Sequence, residues 1–285
     1  VSLVLTTGRT RLTQLFELAM RLLGYLMQCS KKVLGMNKVA VITGSSGGIG
    51  SALVRTYLDD GYFVIGLDRT PCEYPVRESY VEINLSLLQF SKDISYRDDV
   101  IAKIKEHLPN HPKKFVVINN AAEQILKSVS ELEWEDWDNS LSVNTVAPFF
   151  LVQGLLEELK LSHGSVINVS SIHAKLTKPR FTCYAASKAA LETLTRSLAL
   201  ELSPLGISVN AVAPAAISTD MLMAGFKDAP DKLKALKNYH PSRCIGTPED
   251  VSFFVKAITD QEGGFLTGAV LDFNGGLAGR LHDPE

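Results

Sequence analysis

The chain has 285 residues, of which 46% are hydrophobic and 21% charged, and its formal net charge is −2 at pH 7. That balance supplies a buried core for one large domain or two small ones and excludes a disordered chain. With a charge near zero and no Lys/Arg cluster interleaved with aromatics, no nucleic-acid partner is indicated.

Residues 11–28, RLTQLFELAMRLLGYLMQ, place Leu12, Leu15, Phe16, Ala19, Leu22, Leu23 and Leu26 at helical spacing, interrupted by Arg11, Glu17 and Arg21. Those charges, and the lack of about 20 uninterrupted apolar residues, argue against a transmembrane span. Three origins fit residues 1–35: an amphipathic helix docking on a membrane or another subunit, a targeting peptide, or an extension ahead of a start at Met36. We take 1–35 as an N-terminal extension, the one segment open to membrane contact. Residues 36–280 are taken as a single catalytic domain, because no linker rich in Gly, Pro or Ser and no internal repeat divides them.

A strand is expected over 39–43, leading into TGSSGGIG at 43–50. Glycines at a strand-to-helix turn permit positive φ and let a pyrophosphate approach main-chain amides at a helix N-terminus, where the dipole is positive. The spacing of Gly44, Gly48 and Gly50 differs from GxGxxG, and the lack of a GxxxxGK loop sets aside an ATP-type site. A helix follows over 50–60, then a strand over 63–68 ending on Asp68, eighteen residues after Gly50 (68 − 50). A carboxylate there suits adenosine ribose hydroxyls and repels a 2′-phosphate, so NAD is favoured over NADP; Arg69 is the feature that pulls the other way.

Further strands are expected over 80–84, 115–120, 165–170, 208–213 and 269–273, and helices over 97–107, 137–159, 184–202 and 248–259. The unbroken Val/Ile runs of the fourth and fifth strands indicate burial on both faces. The fold class is therefore α/β: a doubly wound, Rossmann-like parallel seven-stranded sheet with helices on both faces. Cys29, Cys72, Cys183 and Cys244 are scattered without a CxxC pair, which reads as reduced thiols in a cytoplasmic protein. Pro109 between His107 and His111 argues against a metal pair on one helix face.

TGSSGGIG, NNAA at 119–122, VN at 143–144, NVSS ending on Ser171, YAASK at 184–188, PAAIST at 214–219 and LTGAVLDFNGG at 266–276 occur in that order. Together they make the chain, from about residue 37 to 276, resemble the short-chain dehydrogenase/reductase family of the compact single-domain type. The resemblance implies that Asn144, Ser171, Tyr184 and Lys188 act together. Tyr184 would be the general acid/base; a tyrosine with pKa near 10 needs a nearby cation to stabilise its phenolate, and Lys188 one turn on can supply it. Lys188 would also reach the nicotinamide ribose, Ser171 would hold the substrate oxygen, and Asn144 would anchor a water linking Lys188 to solvent.

Cofactor contacts implied in the same way are Gly44, Ser46, Gly47, Gly48, Ile49, Gly50 and Asp68, then Asn84 and Leu85 near the adenine and Asn120 beyond the fourth strand. Tyr184 and Lys188 join them, with Ile217 and Thr219 near the carboxamide. Ala122 and Ala215 depart from the glycines usual in the family; if either position needs positive φ, alanine costs about 1 kcal/mol. The expected activity is NAD(H)-dependent interconversion of a small-molecule alcohol and a ketone or aldehyde, in a homotetramer or dimer. The alternative is a catalytically silent dinucleotide-binding regulator or scaffold. His173, Phe181, Ala215 and Ala216 are candidate pocket residues, and Met221, Leu222, Met223 and Phe226 are candidates for an apolar lid or for a surface helix packed on the domain.

Overall fold

Seven apolar runs pair into one sheet. The computed structural model describes residues 37–71, 78–109 and 111–280; the N-terminal extension, Cys29 and Cys72 lie outside the described residues. Strands β1 (Lys38–Thr43), β2 (Phe63–Asp68), β3 (Tyr80–Asn84), β4 (Lys114–Asn119), β5 (Ser165–Val169), β6 (Ser208–Pro214) and β7 (Val270–Phe273) are all parallel. Their order is β3-β2-β1-β4-β5-β6-β7.

Alternate residues of β1 enter different cores. Val39 and Val41 pack with Phe63, Ile65, Phe115 and Val117, whereas Ala40 and Ile42 pack with Val64, Val116 and Ile118. Because both faces are covered, no polar residue needs to alternate, and the strands read as continuous Val/Ile runs.

The helices are α1 (Gly48–Asp59), α2 (Leu87–Lys92), α3 (Ile94–Glu106), α4 (Trp134–Leu141), α5 (Ala147–Gly154), α6 (Leu156–Leu161), α7 (Thr182–Leu202), α8 (Asp220–Ala224), α9 (Pro230–Tyr239) and α10 (Pro248–Thr259). One face is covered by α1 through Leu53, Val54 and Tyr57 and by α10 through Val251, Val255 and Ile258. The other is covered by α3 through Val100 and Ile104, α5 through Leu151 and Val152, and α7 through Leu198 and Leu202. No described helix is long and apolar enough to cross a membrane.

The helix expected over 137–159 is not continuous. After α4 comes a π turn, Ser142–Val146, and Leu155 separates α5 from α6. Pro148 has no N–H for the Asn144 carbonyl four residues back, so the α ladder is interrupted there. The Ala147 N–H bonds instead to the Ser142 carbonyl, five residues back. Several starts also differ from expectation: α1 begins at Gly48, α4 at Trp134 and α7 at Thr182, two, three and two residues early. Ser86 accepts the Gln89 N–H at 3.3 Å and nucleates α2, which the sequence reading leaves out; Asp93 accepts the Tyr96 N–H at 3.1 Å and starts α3 three residues early.

Candidate active site

The first crossover builds a turn in which the chain packs on itself. Gly44 has φ +66°, and a Cβ there would lie 2.9 Å from Ala121 Cα; one at Gly48 would lie 2.7 Å from Thr219 Cγ2; one at Gly50 would overlap the Gly44 carbonyl oxygen. Gly47 is different, since its Cβ would meet only Gly44 O at 3.4 Å. Replacing Gly50 with Ala should therefore lower folding stability by about 1–3 kcal/mol, the range for inserting a methyl into a packed site. Gly47→Ala should leave it nearly unchanged, and urea unfolding of the two variants side by side checks the pair.

No side chain caps α1, whose first turn carries no acidic residue. The leading amides of this 12-residue helix therefore have neither intrahelical partners nor a compensating charge, which is the condition for holding an anion. Beside them Asp68 accepts the Ser46 N–H at 2.9 Å and the Thr70 N–H at 3.0 Å, tying the end of β2 to the glycine turn. Asn84 donates to the Arg69 carbonyl at 3.1 Å, and the Arg69 guanidinium lies 3.5 Å from Glu123. Leu85 is 3% exposed, its side chain in the core; only its main chain is left to face a ligand. Asn120 donates to the Thr43 and Gly44 carbonyls at 3.0 and 3.1 Å, and its own N–H and that of Ala121 donate to Thr43 Oγ1. Thr43, a residue the sequence reading did not single out, thus locks β1 to β4; its place between an apolar strand and the first glycine was the available signal.

On the far side of the turn, Ile217 is buried and bridges to Gly246, and Thr219 caps α8 by accepting the Leu222 N–H at 3.3 Å. Thr219 is also what Gly48 leaves room for, so the glycine turn and the 214–219 segment are held edge to edge.

Ser171 lies two residues beyond β5 and accepts the His173 N–H at 3.2 Å. Tyr184, in the first turn of α7, is buried; burial pushes its phenol above the usual tyrosine value, and a hydrogen bond with Ser171 pulls it back down. One turn on, Lys188 is 2% exposed and donates to the Val169 carbonyl at 2.7 Å, its Nζ 5.8 Å from the Tyr184 ring centre. Burial lowers the Lys188 ammonium to about 7. Asn144 sits in the π turn rather than in a regular helix. It accepts the Glu123 N–H at 2.7 Å and donates to the Glu123 carbonyl and to Ser187 Oγ, both at 2.9 Å. Ser187 in turn donates to the Tyr184 carbonyl at 2.8 Å. Ser187 thus ties the Asn144 side chain to the main chain at Tyr184, a part not visible in the YAASK pattern, while Ser171 meets the Tyr184 hydroxyl directly.

His173 stacks on Phe181 with ring centres 4.2 Å apart, and both rings meet Tyr184 edge-on at 6.0 and 6.1 Å. Burial, with Lys178 nearby, lowers His173 to about 4, so this wall is neutral and aromatic at physiological pH. Ala215 and Ala216, expected in the same pocket, line a different cavity with His240 and Asn274. Of the lid candidates, Met221 and Met223 on α8 are exposed and Leu222 and Phe226 half-buried. Among the described residues the non-glycine positive φ values belong to His163, Arg180 and Arg243, so Ala122 and Ala215 carry no left-handed strain.

Known proteins resemble the chain over most of its length. Residues 38–230 match the family described as short chain dehydrogenase. Protein FixR of Bradyrhizobium diazoefficiens is 32% identical over 255 residues, covering 85% of this chain and 87% of that one. Dehydrogenase/reductase SDR family member 4 of Homo sapiens is 31% identical over 250 residues, covering 86% and 89%. Among solved structures, ElxO with NADP bound superposes with a TM-score of 0.76 at 25% identity, covering 86% of this chain and all of that one.

Proposed function

The chain belongs to the short-chain dehydrogenase family, and on that premise we propose that it is an NAD(H)-dependent oxidoreductase interconverting an alcohol with a ketone or aldehyde. The observation that carries this reading is a buried tyrosine hydroxyl bonded to Ser171, with a buried lysine one helical turn away. A dinucleotide fits the glycine turn, because the uncapped start of α1 offers amides to its phosphates and Asp68 offers a carboxylate to its adenosine ribose. Bound there, it supplies the hydride donor or acceptor.

The chain's own residues handle the proton. In the reductive direction Tyr184 gives its hydroxyl proton to the substrate oxygen; in the oxidative direction it takes the proton from the substrate hydroxyl. Lys188, when protonated, stabilises the phenolate that this leaves. Ser171 Oγ accepts from the His173 N–H and bonds to the Tyr184 hydroxyl, and its rotatable O–H would turn to the substrate oxygen, where charge develops. Asn144 serves the return path to Lys188 by anchoring water, with its position set by Glu123 and Ser187. The His173–Phe181 wall favours substrates with an apolar group next to the carbonyl.

NAD rather than NADP follows from Asp68, since a 2′-phosphate there would meet a carboxylate, while Arg69 is turned towards Glu123. A cytoplasmic location goes with four scattered cysteines that form no CxxC pair. Assembly as a dimer or tetramer is supported by Leu200 on α7, Phe253 on α10 and Phe265, large apolar side chains left exposed. The test is NADH and NADPH absorbance against a panel of ketones and aldehydes. NADH should be consumed with at least one panel member, and Asp68→Ala should erase the preference for NADH by weakening it about tenfold or more, the loss of a charged hydrogen bond. NADH binding without turnover on the whole panel would replace this reading with a silent dinucleotide binder.

A further inference from the structure

Three successive turns of α7 hold three successive residues where the chain leaves β5. Tyr184, Lys188 and Glu192 stand four residues apart, so they share one face of that helix. Tyr184 bonds to the Ser171 hydroxyl. Lys188 donates to the Val169 carbonyl at 2.7 Å. Glu192, which takes no part in the proton transfer, accepts the Ser170 hydroxyl on Oε1 at 3.1 Å. Ser170 also gives its N–H to the Val212 carbonyl at 2.7 Å, so it is fastened to β6 by its main chain and to α7 by its side chain.

Both partners of the Glu192–Ser170 bond are buried, each 4% exposed. Taking a carboxyl out of water is costly, and a well-packed apolar side chain at such a position often serves stability as well or better. Burial raises the Glu192 carboxyl, while Ser170, Lys175 and Arg196 draw it back down; Lys188 is shifted by burial alone. Charge exchanged with Lys188 is therefore not what Glu192 contributes. It contributes a fixed place for Ser170, and the residues on either side of Ser170 carry the Lys188 acceptor and the Tyr184 partner.

We propose that Glu192 is a positioning residue of the dehydrogenase reaction: through the Ser170 hydroxyl it sets the exit of β5, with Ser171 on it, against the face of α7 that carries Tyr184 and Lys188. This rests on the oxidoreductase reading above. A displacement of about 1 Å among positioned groups can cost about 10²-fold in rate. Loosening one fastening of three, with the Lys188 bond to Val169 and the Ser170 N–H bond to Val212 intact, should cost about tenfold.

Ser170→Ala and Glu192→Leu should each lower kcat/KM for the carbonyl about tenfold, with Kd for NADH within about twofold of the wild type. Because the two residues act through one bond, the double variant should lose no more than either alone. Glu192→Gln keeps an acceptor for the hydroxyl and should recover most of the activity. A carboxyl that only supports packing predicts the opposite split, a shifted urea midpoint with kcat/KM unchanged. Hydrogen exchange, followed by peptide mass spectrometry on the full chain without dinucleotide, tests the fastening apart from turnover. The His173 N–H bonds to Ser171 Oγ and the Ala174 N–H to the Ser171 carbonyl. Peptides spanning 171–176 should therefore exchange about tenfold faster in Ser170→Ala and Glu192→Leu, as the loss of one hydrogen bond predicts, and near the wild-type rate in Glu192→Gln. Unchanged kcat/KM in Glu192→Leu, losses that multiply in the double variant, or exchange at the wild-type rate in both single variants would overturn the role. A wild type that turns over no carbonyl, while exchange responds as stated, would instead remove the oxidoreductase reading and leave the fastening in place.

Discussion

Tyr184→Phe is expected to lower kcat/KM by about 10²- to 10⁴-fold with every carbonyl the wild type reduces, the range for removing a positioned general acid/base. The ring contacts with His173 and Phe181 are kept by phenylalanine, and only the hydroxyl bonded to Ser171 is lost. Folding stability and NADH binding should therefore survive, which separates lost chemistry from lost structure. The checks are NADH consumption for the first and NADH fluorescence titration with thermal melting for the second. A variant as active as the wild type would take Tyr184 out of the proton transfer.

Lys188→Met should cost about 10²- to 10³-fold in kcat/KM, the scale for removing one preorganised electrostatic partner of the reacting group. Its second effect is on stability and has a sign set by pH. Burial lowers the folded-state ammonium from 10.5 to about 7. Between those two values the unfolded chain binds more protons than the folded one, so this lysine makes stability rise with pH, by at most about 1.4 kcal/mol per unit. Below about 7 both states are protonated and the buried charge is a constant burden. The methionine variant lacks that burden, although the Val169 carbonyl loses a donor. Measured by urea unfolding, the variant's standing relative to the wild type should be best near pH 6 and worsen steadily towards pH 9–10. Parallel stability–pH curves would show that Lys188 does not titrate as its burial demands.

The sheet was legible in the sequence to within one residue at either end of every strand, because strands buried on both faces must be apolar throughout. The π turn was not. Pro148 signals a missing donor, but apolar spacing alone does not reveal whether a helix answers by kinking, breaking or widening around Asn144. The start of α2 was available in the Ser86 and Gln89 spacing, a capping pattern hidden inside a long polar segment. At the glycine turn the letters weigh Gly47 and Gly50 alike, and only the path of the neighbouring chain shows that one is spacious and the other closed. Tyr184, Lys188 and Ser171 stood in recognisable motifs. Ser187 and Thr43 did not, because each matters through partners far away along the chain.

The strand order also dictates how the protein must be made. β1 lies between β2 and β4, yet β2 and β3 leave the ribosome well before β4 does. The stretch from residue 84 to residue 119 takes about 2–7 s to synthesise at about 5–20 residues per second. Throughout that interval the inner edge of β1, apolar on both faces, has no neighbour, the state in which strands recruit other chains. The nascent chain thus presents its most adhesive surface with the glycine turn already synthesised and the tyrosine and lysine still unmade, and the ribosome-bound half-sheet is the species that a chaperone would have to shield.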